Sequence, residues 1–392
     1  MYVTMRATGA VPVFRRKMVL SGFGTFDRGR VPRTSAWWSP EVCDMTKVHM
    51  NSRVPPALGL PQASVEAVLR AAGRAPSLHN VQPWRFRVEP DVIELHADPA
   101  RRLPATDPDD RELRLSCGAA LFNLRVALQA AGVQPKVTSL PTAHGSTRLD
   151  ENPGPLAEIR RAGAAVPSAQ VNRMMEAITT RRTNRRPFLD DAVPDADRAR
   201  LAGAVDVVGG RLVQLTDPKR REAVRRLMLQ AHRIQRADPA IRAEFAAWIG
   251  RERSSADGVP AATAGLTPEE GDEWVLRDFG QGTGPRRQPG KDYERDPLVV
   301  VVCSYYDGSL AELQAGEALQ SLLLTATTLG LASSFMSQII EVPQARAEMR
   351  QILGPGLVPQ AIIRLGYGSP VAASRRRPVS ELLLNETAGT SA

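Results

Sequence analysis

The sequence contains two similar helical segments nearly two hundred residues apart, and this repeat constrains the fold more than any other feature. Residues 118–124 read GAALFNL, and residues 316–322 read GEALQSL. Each segment opens an alanine-rich stretch that ends at a glycine fourteen residues after the first, Gly132 in one case and Gly330 in the other. Because glycine is favoured just beyond the last turn of a helix, both helices are predicted to stop there.

A β-rich stretch precedes each of these helices, residues 92–96 in one case and residues 298–305 in the other. Two interpretations of the match remain open. Small residues and leucines are common in buried helices, so helix packing alone could produce it. Alternatively, two copies of one α+β unit lie in a single chain and pack about a pseudo-twofold axis, as the subunits of a homodimer would. The second interpretation predicts an α+β fold built from two unequal repeats.

The spacing of apolar residues predicts further helices and strands around the repeat. Alternating apolar and polar residues indicate strands, and apolar residues three or four positions apart indicate helices. Strands are predicted over residues 84–88 and 92–96, and helices from Ser64 to near Pro76, from about Ser116 to Ala131, and over residues 171–178.

A long stretch of the second half, residues 236–296, breaks this pattern. Glycine, proline and charged residues dominate it, with isolated aromatic residues. A long irregular insertion in a compact domain is usually functional or disordered. Its bulky aromatics favour a lid over a disordered linker, with Phe245 and Trp248 as candidate covers and Trp274 and Phe279 further along.

Charge and hydropathy argue against two classes of partner. The net charge of +9 and the pI near 10.0 would suit nucleic acid. However, the first 49 residues hold eight basic and only three acidic residues, and elsewhere the arginines alternate with acids. We therefore expect a solvated arginine-rich surface and no nucleic-acid partner. No apolar run of eighteen residues occurs, so no membrane partner is expected.

Cysteine and histidine positions give no sign of a disulfide framework or a metal site. Cys43, Cys117 and Cys303 show no CxxC spacing, and the five histidines show no HxxxH or HxH pattern. A reducing, cytoplasmic location is the default for such a chain. Residues 1–49 lack periodicity and a signal-peptide core, so we expect a disordered extension or a start codon assigned too early, with Met50 as the true beginning.

Two segments resemble the signatures of a known family. Residues 75–86 read APSLHNVQPWRF, and residues 181–185 read RRTNR. The first resembles the APSxxNxQPWxF signature of FMN-dependent nitroreductases, and the second resembles that family's RRSxR, which normally lies near the start of the chain. The reversed order, together with residues 115–120 and 359–366, resembles the Acg-like branch of actinobacteria.

This resemblance covers the chain from about Ser64 to Leu384 and implies the nitroreductase fold as a pseudo-dimer within one chain. Each half supplies only one of the two signatures, so one composite site, and one FMN per chain, is expected. The predicted divisions are an extension over 1–49, a first half over 50–165 without the phosphate motif, a second half over 166–384 with that motif and a lid at about 236–296, and a tail over 385–392.

The arginine-rich signature is predicted to hold the flavin phosphate. That group carries close to two negative charges, which a bidentate guanidinium suits. Arg181 and Arg182 lie at a predicted helix end, and the resemblance implies that Arg181 and Thr183 contact the phosphate and ribose. Arg185 would reach the pyrimidine edge of the ring, where a cation stabilises the reduced flavin. The alternative is an arginine-rich helix end that only satisfies its last carbonyl groups.

The resemblance implies three more sets of flavin contacts. In family homodimers the APSxxN segment reaches across the interface to flank the ring, a basic pair near the C-terminus binds the phosphate, and a loop after the repeated helix gives a backbone N–H to N5. The family's usual Pro-Glu-Gly-like loop is absent here. The candidates that flank the ring are Pro76, Ser77, Leu78 and Asn80. The candidates for the basic pair are Arg375 and Arg377, and this position is defined to within one residue. The candidates for the N5 loop are Ser337 and Gln338.

Two functions follow from this resemblance. As an oxidoreductase, the chain would take hydride from NAD(P)H and reduce a nitroaromatic or quinone-like acceptor in a ping-pong cycle, with no side-chain nucleophile because the flavin carries the chemistry. As an FMN-sequestering or storage protein, it would close the lid over the ring and block turnover, as is suspected of the Acg-like branch. The expected partner is a small-molecule electron acceptor, and the expected state is a monomer acting as an internal pseudo-dimer, whose further association the sequence leaves open.

Overall fold

A computed structural model of the chain divides into two units, Met1–Asn51 and Ser52–Ala392. All described residues belong to the second unit. The predictions for residues 1–49 and for the tail at 385–392 therefore lie outside the described residues. The structure describes residues 54–140, 154–269, 272, 274, 277–279, 294 and 296–384.

The first part of the second unit is a four-stranded antiparallel sheet packed on a long helix. Its elements are α1 (Gln62–Ala72), β1 (Trp84–Glu89), β2 (Val92–Ala97), α2 (Arg111–Ala130), β3 (Val133–Ser139) and β4 (Ala157–Ala164). The strands lie in the order β1-β2-β4-β3. Trp84 and Phe86 alternate with polar neighbours along β1 and are fully buried, which fixes the face of the sheet that meets the helices.

The remaining part contains a second four-stranded antiparallel sheet, in the order β5-β8-β10-β9, and a short parallel pair, β6 and β7. In both larger sheets the strands therefore lie in the same order relative to the chain: first, second, fourth, third. The elements are α3 (Ala169–Thr180), α4 (Asp195–Asp206), β5 (Arg211–Gln214), α5 (Pro218–Ala237), α6 (Pro239–Trp248), β6 (Ile249–Arg251), β7 (Val259–Pro260), β8 (Leu298–Ser304), α7 (Ser309–Thr328), β9 (Ala332–Phe335), α8 (Gln338–Glu341), α9 (Pro343–Leu353), β10 (Val358–Gly366) and α10 (Val379–Leu382).

Helix α1 begins at Gln62 rather than Ser64 and ends at Ala72 rather than near Pro76, and α3 extends two residues beyond the predicted 171–178 at each end. Two further differences are explained by side-chain caps. Helix α2 begins at Arg111 and not near Ser116, because the carboxylate of Asp107 accepts the backbone N–H groups of Glu112 and Leu113 at 3.1 and 2.9 Å. The expectation of irregular structure from residue 236 onward is wrong for its first part. Asp238 caps a further helix, α6, by accepting two backbone N–H groups of its first turn.

Helices α2 and α7 cross at the two glycines that open the repeated segments. A Cβ on Gly118 would lie 1.9 Å from the carbonyl oxygen of Leu313, and a Cβ on Gly316 would lie 2.1 Å from that of Leu115. Each glycine therefore contacts the residue that lies three positions before the other glycine. The backbones touch so closely that any side chain at either position would force the helices apart.

Buried polar pairs fix the register of the same two helices. The Arg114 guanidinium on α2 binds the Glu312 carboxylate on α7 at 2.5 Å. Further along, the Gln320 amide donates to the Asn123 side-chain oxygen at 2.7 Å. Sliding one helix along the other would leave these buried groups unpaired, which is costly. The two helices therefore form a fixed centre on which both sheets pack.

After β10 the chain returns to the first sheet. Leu383 forms a parallel bridge with Phe86, and the Leu384 N–H donates to the Phe86 carbonyl at 2.8 Å. Residues 367–378, which precede this contact, are thereby drawn across from one half to the other. None of the helices in the described part of the chain has the length and hydrophobicity that a membrane span needs.

Candidate functional site

One cavity lies between the two halves, beside the first turns of α2. It encloses about 1120 Å³, including the solvent at its mouth. The first half contributes Arg74, residues 76–80 and part of α2, and the second half contributes residues 181–183, Arg185, part of β9, residues 372–374 and Arg376. The two signature segments, a hundred residues apart in sequence, therefore face one space.

Most of the predicted site residues line this cavity. The arginine-rich segment reaches it because α3 ends at Thr180 and the chain then continues beside β9, where Thr183 bridges Ser333. The Asn184 N–H holds this position by donating to the Ser333 carbonyl at 2.8 Å. The predicted residues on the cavity wall are Pro76, Ser77, Leu78, Asn80, Arg181, Arg182, Thr183, Arg185 and Ser337.

The C-terminal basic pair is shifted by one residue from the prediction. Arg376 lines the cavity, whereas Arg375 is exposed and donates to the Ser254 carbonyl at 3.4 Å. Arg377 is buried on another side, where its guanidinium donates to the carbonyl groups of Gln82 and Glu381 at 3.2 and 2.6 Å. The guanidinium of Arg377 therefore stabilises the local chain, and Arg376 is the residue of this run that lines the cavity.

The second candidate of the N5 loop, Gln338, also lies off the cavity wall. It opens α8 and is buried behind Ser337, whose hydroxyl accepts a hydrogen bond from Arg277 at 3.3 Å. Of the two residues predicted for this loop, only Ser337 faces the cavity.

Four guanidinium groups gather at one part of the cavity wall: Arg74, Arg181, Arg182 and Arg376. Burial, reinforced by the neighbouring arginines, lowers the pKa of Arg376 to about 9 and that of Arg181 to about 10. Within the described ranges no carboxylate lies at ion-pair distance from any of the four, and the buried Nε of Arg376 has no partner. Arg181 is buried and the other three arginines are half-buried, so a cation cluster of this kind favours the binding of an anion.

The loop that follows Arg74 along the chain holds an unusual backbone conformation. His79, Asn80 and Gln82 have φ values of +49°, +59° and +54°, in the left-handed region that side chains disfavour. Such strain persists only where the surroundings fix it, and it is common at binding sites. The side-chain oxygen of Asn80 is buried without a partner in the described residues, so this lining residue has an acceptor left for a ligand.

Hydrogen bonds from several segments fix this strained loop. Gln82 is fully buried, and its amide donates to the Ala256 carbonyl at 2.8 Å while its oxygen accepts the Arg377 N–H at 2.9 Å. The Ser77 hydroxyl accepts the Gln82 N–H at 2.9 Å, so Ser77 supports the loop as well as lining the cavity. Trp84, two residues further along, is also fully buried, so residues 82–84 anchor the loop in the core.

Arg185 is held at the cavity wall by the insertion. Its guanidinium donates to the Thr263 carbonyl at 3.0 Å and lies 4.4 Å from the centre of the Phe279 ring. Burial lowers its pKa to about 10, and Arg277 and Arg181 add to the effect. The cation is therefore fixed and partly desolvated, which strengthens its attraction for negative charge.

Among the described residues of the insertion, Arg277 and Phe279 reach the cavity. Arg277 is locked by the buried carboxylate of Glu341 at 2.6 Å and by the side-chain oxygen of Gln235 at 2.7 Å. The two predicted covers lie behind this layer. Phe245 contacts Phe279, with ring centres 5.6 Å apart, while Trp248 stacks under Arg251 and does not line the cavity.

Sequence reasoning missed five residues that matter to the chemistry of the wall: Arg74, His79, Glu112, Arg277 and Arg376. His79 lies inside the first signature, and burial, with nearby arginines, lowers its pKa to about 3, so it is neutral. Arg376 was within one residue of the prediction. The other three carry no local pattern, because a lone arginine or glutamate at a helix end or in a loop has the appearance of an ordinary surface residue.

The comparisons with known proteins agree with this geometry. Two proteins of Mycobacterium tuberculosis carry the name "Putative NAD(P)H nitroreductase". One is 34% identical over 343 residues, covering 85% of this chain and 93% of the relative. The other, whose name adds "acg", is 32% identical over 323 residues, covering 81% of this chain and 94% of the relative. The chain belongs to the nitroreductase family. Within that family it belongs to the Acg-like branch.

The comparisons with solved structures and with family models add no argument about the family of this chain. A nitroreductase with bound FMN from Bacteroides fragilis is 17% identical, covers 55% of this chain and 96% of that chain, and gives a TM-score of 0.31. No family model matches the chain. Family membership therefore follows from the sequence relatives.

Proposed function

We propose that the chain binds one FMN in this cavity and acts as an NAD(P)H-dependent oxidoreductase on a nitroaromatic or quinone-like acceptor. The observation that carries the proposal is the convergence of an uncompensated guanidinium cluster with the strained Ser77–Asn80 loop around one cavity. The relatives named as NAD(P)H nitroreductases support the choice of co-substrate.

The residues present fit this cofactor. Arg181, Arg182 and Arg376 would compensate the phosphate charge, since guanidinium forks match phosphate oxygens. Arg185 would lie against the pyrimidine edge, and the free side-chain oxygen of Asn80 would accept a hydrogen bond. When bound, FMN supplies the acceptance and donation of hydride. The protein supplies positioning, fixed positive charge and a cavity from which bulk water is partly excluded.

We further propose that the two halves form an internal pseudo-dimer. The identical strand order of the two sheets supports it, as does the reciprocal contact of Gly118 and Gly316. The helices also end alike, at Gly132 and Gly330 with φ values of +84° and +75°. In this arrangement the position related to the cavity by the pseudo-twofold axis lacks both signatures, so the pseudo-dimer has one working site.

The pseudo-dimer with a single site predicts a flavin content of about one FMN per chain. The measurement is flavin absorbance against amino-acid analysis after gentle purification and saturation with FMN. A content near two would show a second site in the position related to the cavity by the pseudo-twofold axis. Material that stays colourless after soaking in FMN would contradict the proposed function itself.

A sequestering function is the second candidate, and the placement of Arg277 and Phe279 on the cavity wall favours it. If this layer covers the flavin ring, neither nicotinamide nor acceptor can stack on it. Anaerobic mixing with NADPH and with NADH separates the two functions. Bleaching of the flavin band supports turnover, and a band that persists with both supports sequestration.

Replacing Phe279 by alanine is expected to raise the rate of this bleaching by about fivefold, because the change removes ring contacts of roughly 1 kcal/mol from the covering layer. Trp248→Ala is the matched control, since Trp248 belongs to the same insertion but does not line the cavity. Equal rates in both variants and in the wild type would show that the insertion does not limit access.

A further inference from the structure

Glu112 occupies a junction between the cavity and a second, charged cleft. It lies in the first turns of α2 and lines the cavity together with Ser116 and Arg277. It also lines the neighbouring cleft of about 720 Å³, whose wall includes Asp107 and Glu341. One carboxyl group therefore faces both spaces.

The side chain of Glu112 makes no hydrogen bond or ion pair with any residue that the structure describes. Its backbone is bonded, because its N–H donates to Asp107 and its carbonyl accepts the Ser116 hydroxyl at 2.7 Å. An acidic residue in the first turn of a helix normally stays ionised and stabilises the helix dipole. A carboxyl group that is left without partners at a cavity wall calls for a different explanation.

The groups around Glu112 favour its protonated form. Asp107 faces it from the preceding turn, Glu341 from α8, Arg111 from its own helix and Arg277 from the insertion. Burial, followed by the two carboxylates, raises the pKa of Glu112 to about 8, although the two arginines oppose the shift. At neutral pH the group therefore carries a proton that it can release.

Other groups on the described cavity wall are poor proton donors near neutral pH. His79 is neutral, with its pKa lowered to about 3. Burial lowers the pKa of Arg185 only to about 10, so it keeps its proton. Glu341, which lies behind the wall, is ionised, because Arg277 holds its pKa below the usual range in spite of burial. Glu112 is the described lining group whose proton is both present and transferable.

We propose that Glu112 donates the proton that the acceptor takes up in the cavity, and that the second cleft returns a proton to it. The proposal rests on the proposed function. For a quinone, hydride originating from NAD(P)H forms one new bond to the acceptor, and the Glu112 O–H bond breaks as its proton joins the acceptor oxygen. The products are hydroquinone, NAD(P)⁺ and the Glu112 carboxylate.

Reprotonation from solvent through the second cleft closes the cycle. One quinone, one NAD(P)H and one proton are then consumed for each hydroquinone formed. Asp107 is placed to assist, since burial raises its pKa to about 6 and it lines the second cleft beside Glu112. A group that titrates below Glu112 but near neutral pH can pass protons in either direction.

The test uses the FMN-loaded protein and follows reoxidation of the flavin by two acceptors. Glu112→Gln keeps the shape of the side chain but cannot donate a carboxyl proton. Loss of a general acid typically costs 10²- to 10⁴-fold, so we expect reoxidation by a quinone to slow by about 100-fold. Reoxidation by ferricyanide should be unchanged, because that acceptor takes an electron without a proton. Glu176→Gln, which changes an exposed carboxyl on α3 that lines neither the cavity nor the second cleft, is the matched control and should leave both rates unchanged.

The pH dependence of reoxidation distinguishes proton donation from a structural role, because a structural role of Glu112 would not produce it. Wild-type reoxidation by quinone should fall tenfold per pH unit above about 8, and the Glu112→Gln rate should not show this fall. Equal slowing with quinone and ferricyanide, or an unchanged pH profile in the variant, would overturn the proposal. If the variant does not fold, the wild-type profiles decide, because a decline confined to quinone supports donation and a shared decline contradicts it.

Thermal unfolding gives a readout that is independent of turnover. Glu112 binds its proton more tightly in the folded state, so its contribution to stability is lost as pH rises from about 4.5 to about 8. The melting temperature of Glu112→Gln relative to wild type should therefore increase across that range and level off above it. A flat difference would overturn the proposal. A wild type that neither nicotinamide bleaches overturns the proposed function, and with it the donor role.

Discussion

Gly118→Ala is expected to lower the free energy of unfolding by about 3 kcal/mol, the upper part of the range for overpacked cores. The new Cβ would lie 1.9 Å from the Leu313 carbonyl oxygen and 2.9 Å from the Cα of Gly316, and both of these are backbone atoms that cannot rotate away. Urea denaturation followed by circular dichroism measures the change. Because α2 and α7 both line the cavity, through Leu115 and Leu319, FMN binding should weaken as well.

The control for this substitution is Gly203→Ala on α4. Nothing lies within 4 Å of a Cβ at Gly203, and alanine is the better helix former by roughly 0.5–1 kcal/mol. The same chemical change should therefore stabilise the protein at one helical position and destabilise it at the other. If both variants shifted the denaturation midpoint in the same direction, the close crossing of the two helices would not exist in solution.

The repeat shows how far the sequence alone could lead. Glycine and alanine at fixed spacing predicted two related helices, and both are present, with β-strands before them. That the two helices touch at Gly118 and Gly316 could not be predicted, because many packings accept a small residue at one position. The start of α2 was also missed, since its cap comes from Asp107, four residues before the helix begins.

The candidate site was predictable where a whole signature carried it and unpredictable where single residues did. Residues 76–80, residues 181–183 and Arg185, which belong to the two signatures, line one cavity. In the run Arg375–Arg377, by contrast, three identical residues differ only in their surroundings. Arg377 is taken by Gln82 and Glu381, and Arg375 faces outward, which leaves Arg376 to line the cavity. Such a choice depends on tertiary contacts that the sequence does not display.

The position of the insertion illustrates the same limit. Its aromatic residues suggested a cover, and Phe279 does line the cavity. Trp274, however, is buried in the core beside Arg221, and Trp248 stacks under Arg251. Aromatic composition predicts that a segment packs against something. It does not predict which of its rings meet the cavity and which anchor the segment.

Arg181→Met is expected to change stability in opposite directions with and without FMN. Arg181 is only 6% exposed and has no carboxylate partner among the described residues, so without ligand it is a buried charge that other arginines repel. Methionine fills a similar volume without charge. Because Arg181 also faces the cavity, we expect a gain of about 1 kcal/mol, the low end of the range for apolar replacement of buried ionic groups. The flavin-free variant should therefore unfold at higher temperature than the flavin-free wild type.

With FMN present the order should reverse. The lost charge-assisted contact to phosphate is worth about 1.5–3 kcal/mol, so the dissociation constant should rise by roughly 10- to 150-fold. A ligand raises the free energy of unfolding more when it binds more tightly. The same high FMN concentration should therefore raise the melting temperature of the wild type more than that of the variant. Arg173→Met, an exposed arginine on α3, should leave both melting temperatures and the FMN affinity unchanged. A shift of the same sign in both states would mean that Arg181 supports the fold and does not compensate the phosphate. The reversal is the signature of a cation whose partner is the ligand, because a structural arginine has no reason to become more valuable when FMN binds.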